Sequence, residues 1–159
     1  MPHPSRRRFV ATVMCASCCG GLAQASTAPP EIDQITDVGA SAATGMFRFE
    51  PNFLRVGVGD SIAILNSHGE HTVHTAPDLW PEGVPKVAIS NQPKAEITFP
   101  LEGLYGFRCK RHGQYGMVML IVAGAPVIDD AVRERLTDMK AMPRERDAFA
   151  ALVERYGSA

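Results

Sequence analysis

The chain has 159 residues, and its 16 basic and 17 acidic side chains leave a formal net charge of −1 at pH 7. So even a balance gives no electrostatic reason to expect nucleic acid or a membrane surface as partner. The length fits one domain with room for a core that needs no disulfides.

The N-terminus reads as an export address. Ser5-Arg6-Arg7-Arg8-Phe9-Val10 has the consecutive arginines of a twin-arginine signal, an apolar stretch runs from Val10 to about Ala23, and Ala23-Gln24-Ala25 is an A-x-A cleavage site. Residues 1–25 are therefore expected to be a cleaved signal peptide and the mature protein to lie in the periplasm. The apolar stretch is shorter than the ~20 residues a membrane span needs. A lipid anchor on Cys15, Cys18 or Cys19 fits poorly with the residues before each. All three leave with the signal, so Cys109 becomes a lone thiol in an oxidising compartment, a state that calls for a reason.

Short β-type runs follow. A weak one covers Ile32 to Val38, and clearer ones cover Met46 to Phe49 and Phe53 to Val58, where Leu54, Val56 and Val58 alternate onto one face. Ser61 to Asn66 and His71 to Thr75 are two more, separated by a turn at Ser67-His68-Gly69. Residues 76 to 94 carry Pro77, Pro81, Pro85 and Pro93 and read as loop, with a brief strand near Val87 to Ile89. Ala95 to Phe99, Tyr105 to Arg108 and Met117 to Val122 complete an all-β set of seven or eight strands, the pattern of a β-sandwich.

The tail changes period. Ile128, Val132, Leu136 and Met139 share one helical face, and Asp129 and Asp130 sit where a helix N-terminus favours negative charge. Pro143 suits the first turn of a second helix, whose stripe is Phe149, Leu152, Val153 and Tyr156. The expected division is a β-sandwich over residues 26–123 and a two-helix extension of the same domain over 124–159.

Chemistry concentrates in Cys109-Lys-Arg-His112-Gly-Gln-Tyr-Gly-Met117, where a thiolate, an imidazole and a thioether share one loop. Two histidines, one cysteine and a weak axial methionine make a trigonal copper site. The second imidazole must come from elsewhere, and His68, His71 and His74 are the candidates. His71 is preferred because it opens a β-run that can fix its ring; His68 lies in the turn, and His74 points to the opposite face of the strand. Met119, two residues past Met117, reads as packing. Zinc would leave Met117 unexplained, and a Cys109–His112 nucleophile pair lacks an orienting residue and a cleft. No general base or activated hydroxyl is indicated, so an enzyme is not expected. A protein that stores or delivers copper without redox turnover remains the alternative.

The segment Gly103 to Met117 resembles the ligand loop of the cupredoxins, the small blue-copper proteins. The His112-to-Met117 step, the runs Phe49-Glu-Pro-Asn-Phe53 and Val56-x-x-Gly59-Asp60, the 38-residue step from His71 to Cys109 and the helical tail resemble pseudoazurins in particular. The resemblance implies a Greek-key sandwich and a periplasmic carrier of single electrons, with one type 1 copper on His71, Cys109 and His112 and Met117 axial. It further implies redox partners such as a copper nitrite reductase or a c-type cytochrome, with His112 as a surface electron port. Met46, Gly69, Pro81, Gly113 and Tyr115 would form the apolar patch around that port, and Lys86, Lys94, Lys110 and Arg111 a basic rim that docks an acidic partner. Three residues depart from the pattern: Thr72 replaces the usual Asn after the first histidine, Glu70 the usual Gly before it, and Arg111 the usual Pro beside His112. The expectation is that Thr72 bridges the two ligand-bearing loops less well than Asn does.

Overall fold

A computed structural model describes residues 28–158, so the expected signal over residues 1–25 lies outside the described residues. The strands are β1 (Glu31–Thr36), β2 (Phe47–Glu50), β3 (Phe53–Val56), β4 (Ser61–Thr75), β5 (Ala88–Thr98), β6 (Gly103–Arg108) and β7 (Val118–Ala123). Two helices follow, α1 (Asp130–Asp138) and α2 (Pro143–Gly157). The strand order is β2-β1-β4-β6-β7-β3, with β5 also on β4. β1 runs parallel to the start of β4 and β3 parallel to β7, and the remaining pairs are antiparallel. This is the expected Greek-key β-sandwich with a two-helix tail.

Two strands are longer than the sequence suggests. The separate runs before and after Gly69 form one 15-residue strand, β4, whose register against β5 shifts between Ser67 and Thr72. Asn66 and Gly69 take positive φ of 60° and 65° there, so the turn signal marks a bulge inside a strand. The buried Gln34 amide donates to Leu65 O at 2.9 Å and to Ser67 Oγ at 2.5 Å, which pins the bulge to β1. β5 likewise begins well before Ala95 and includes Pro93. It pairs only with β4 among the described strands, and a free edge tolerates a proline that donates nothing. In the other direction β3 stops at Val56, and Val58 is 52% exposed in a turn where the Asp60 carboxylate accepts from Gly57 N–H at 2.7 Å.

Residue alternation along β7 explains why its six residues are all apolar and all buried. Met119, Ile121 and Ala123 face the sandwich interior, with Ile32, Phe49, Ile62, Ile64, Val73, Phe99, Tyr105 and Phe107. Val118, Leu120 and Val122 face outward into a second core with Val132, Leu136, Phe149, Leu152 and Val153 of the helices. Asp129 caps α1, its Oδ1 accepting from Val132 N–H at 2.9 Å, and Pro143 sits in the first turn of α2. Gly106 of β6 admits this packing, because a Cβ there would lie 2.9 Å from Leu79 Cβ and 3.2 Å from Phe149 Cε1.

Phe149 is fully buried in this outer core. Phe149→Ala is expected to lower the unfolding free energy by about 3–5 kcal/mol in a urea titration. Val127→Ala, at a residue 80% exposed, should stay within about 0.5 kcal/mol. A Phe149→Ala protein of native stability would show that the helices are not part of the cooperative fold.

Candidate metal centre

Cys109 follows β6 directly, and Met117 directly precedes β7, so one tight loop carries three of the four expected ligands. The loop closes on its own backbone. Cys109 N–H donates to Met117 O at 3.1 Å, Gly113 N–H to Cys109 O at 2.9 Å, and Met117 N–H to His112 O at 3.2 Å. Gly116 turns the chain at φ 89°, a conformation that costs glycine little.

His71 reaches the loop from β4. One side-chain donor atom from each of His71, Cys109 and His112 lies within 4.8 Å of the others. Cys109 Sγ is 3.7 Å from His112 Nδ1, and the two imidazoles cross at 68° with centroids 5.2 Å apart. Cys109 is fully buried, Met117 is buried in the same core, and His112 is only 5% exposed. Burial chiefly pushes the His112 pKa below its ordinary value, because the charged ring loses water; Glu70 pulls it back up and Arg111 adds to the lowering. A neutral imidazole and a thiol beside it are the states that ligate metal after one proton leaves the sulfur. His74 stands outside this group, as the strand alternation predicts. It pairs in register with Arg108, and its pKa is lowered first by burial, then by Lys110 and Arg108.

Several contacts were not legible in the sequence. Thr36 Oγ1, at the end of β1, lies 2.8 Å from His71 Nε2, so a hydroxyl orients that ring through one nitrogen. Phe47 lies flat on His112, with centroids 3.8 Å apart and planes 2° from parallel. The surface port expected at His112 is thus a covered ring. The alternation of Phe47 with the buried Phe49 placed both on one face, but nothing in the sequence said what Phe47 would touch. Thr72 makes one bond between the two segments: its Oγ1 accepts from Lys110 N–H at 3.0 Å and lies 3.8 Å from Cys109 Sγ. Beneath the loop, the buried carboxylate of Glu145 in α2 accepts from Arg108 at 2.8 Å, so the tail also supports the ligand loop.

The expected rim and patch change as well. Pro81 packs on Gly103 at the start of β6, the end away from Cys109, and so leaves the patch. Tyr115 remains, 41% exposed and 5.8 Å from Phe47 between ring centroids. Lys94 pairs with Glu31 at 3.0 Å and Arg111 with Glu70 at 2.6 Å, so each of these exposed cations is partly offset by a carboxylate.

The donor chemistry fits a type 1 copper site: one sulfur and two ring nitrogens from two strand-anchored segments converge, with Cys109 and His112 buried and His71 half-buried. Residues 36–124 match the family described as copper binding proteins, plastocyanin/azurin family. The chain belongs to that family. Within it, the sequence is 36% identical to the pseudoazurin of Methylorubrum extorquens over 104 residues, which cover 65% of this chain and 70% of the relative. It is also 36% identical to the pseudoazurin of Paracoccus pantotrophus over 112 residues, 69% and 76% of the two chains. The solved pseudoazurin of Methylobacterium extorquens AM1 superposes with a TM-score of 0.66 at 25% identity, covering 80% of this chain and 98% of that one.

The depressed His74 pKa has a consequence for the metal-free protein. The unfolded chain binds the His74 proton more readily than the folded one, so stability should fall as the pH drops through the ordinary value of 6.5 and be flat above it. His74→Asn should make that acid-side slope in urea titrations shallower. An unchanged slope would show that His74 is not held below its ordinary value.

Proposed function

We propose that this chain is a one-electron carrier of the periplasm, exported by its residues 1–25, whose single copper is held by His71, Cys109 and His112 with Met117 as the axial ligand. Residues 26–123 form the carrier domain, and residues 124–159 extend it. The observation that carries the reading is the convergence of the buried Cys109 sulfur, the buried His112 ring and the half-buried His71 ring within 4.8 Å in a strand-anchored place. The bound metal supplies a Cu(I)/Cu(II) couple, since thiolate and thioether suit the first state and imidazole tolerates both.

The protein residues do the rest. The Cys109–Met117 backbone pair and the Thr72–Lys110 tie hold both segments in one geometry, which limits rearrangement when the charge of the site changes. Burial of Cys109 and Met117 keeps water from the sulfur atoms. The stacked ring of Phe47 links the covered His112 to the surface beside Tyr115. A small face of that kind suits brief docking to redox proteins, for which a copper nitrite reductase or a c-type cytochrome is the proposed class. Lys86 and Lys110, both exposed, would be its cations.

Protein loaded with Cu(II) should show an intense visible sulfur-to-copper absorption that reductant bleaches and that Cys109→Ser lacks. A colourless Cu(II) complex, or an unchanged spectrum in that variant, contradicts the assignment. Met117→Gln should keep the visible band but lower the reduction potential, because the axial ligand tunes it. Met119→Leu should leave both nearly unchanged. The reverse pattern would make Met119 the axial residue.

A further inference from the structure

The two charged departures around the ligands meet each other. Glu70 Oε1 accepts from the Arg111 guanidinium at 2.6 Å, and Glu70 Oε2 lies 3.7 Å from His112 Nε2. One carboxylate thus stands between a guanidinium and the outer nitrogen of a ligand candidate, while the inner nitrogen, Nδ1, lies 3.7 Å from Cys109 Sγ. At 3.7 Å the carboxylate is too far for a hydrogen bond and acts on the ring as a charge. Glu70 and Arg111 are 64% and 66% exposed, so their own pairing adds little to stability. Its effect is on position.

We propose that Glu70, restrained by Arg111, is a positioning residue for His112. A negative charge on the outer side of the ring favours the tautomer with its proton on Nε2, which leaves the Nδ1 lone pair facing Cys109. The same charge favours the more positive of the two charge states of the centre, and Arg111 offsets it in part. Glu70 also offers its backbone carbonyl 3.7 Å from Cys109 Sγ, so the residue touches both segments of the site. The inference rests on His112 being a ligand, as proposed above.

The test compares Glu70→Gln, Arg111→Gln and Arg111→Lys by equilibrating copper-loaded protein with a mediator of fixed potential. Glu70→Gln should shift the equilibrium about two- to threefold towards Cu(I), the factor that a unit charge ~7 Å away, across the ring from Nδ1, supplies in water-like surroundings. Arg111→Gln should shift it in the opposite direction, and Arg111→Lys should stay near the parent. In metal-free protein, nitrogen NMR of the His112 ring should show the Nε2–H form in the parent and a mixture of tautomers in Glu70→Gln. Equal or same-direction shifts, with the visible band intact, overturn the positioning role. Loss of the visible band in the parent overturns the ligand reading instead, and the metal-free tautomer measurement still decides whether Glu70 acts on the ring.

Discussion

The contact on which the centre depends is the meeting of the β4 bulge with the loop between β6 and β7. The Lys110 N–H to Thr72 Oγ1 bond at 3.0 Å is worth only about 1 kcal/mol as a hydrogen bond. What it fixes is worth more, because Thr72 follows His71 and Lys110 follows Cys109. One hydroxyl therefore ties together two segments 38 residues apart, next to the β4–β6 pairing of His74 with Arg108. The positive φ values at Asn66 and Gly69 mark a bulge just before His71, where the register of β4 against β5 shifts.

The two cores explain why such a small contact holds. β6 and β7 are buried on both faces, by the sandwich interior on one side and the helices on the other. Burial of each large side chain there contributes about 1.5–3 kcal/mol, far more than any contact in the loop itself. The loop thus hangs from two strands buried on both faces, with Glu145 and Arg108 bracing it from the helical side. A centre that must keep one geometry in two charge states gains from this, since neither segment can relax without disturbing packed strands.

Much of this was legible in the residues. The alternation in β-runs, the change to helical period at Ile128 and the Cys109-to-Met117 spacing gave the class of fold, the tail and the ligand candidates. Strand lengths were less legible, because edge pairing let β5 absorb Pro93 and a bulge let β4 absorb Gly69. The contacts around the ligand candidates were least legible of all. Phe47 on His112, Thr36 on His71 and Glu70 with Arg111 each join residues whose sequence separations carry no periodic signal. Glu70 and Arg111 looked like unrelated departures until the fold placed them side by side.

The central claim is that a fixed cradle lets one metal ion change charge without leaving or rearranging. Voltammetry of the copper-loaded protein tests it most directly. The account predicts a reversible one-electron wave that survives repeated cycling with the copper retained. An irreversible wave, or release of copper on reduction, would contradict it and point to storage or delivery of the metal.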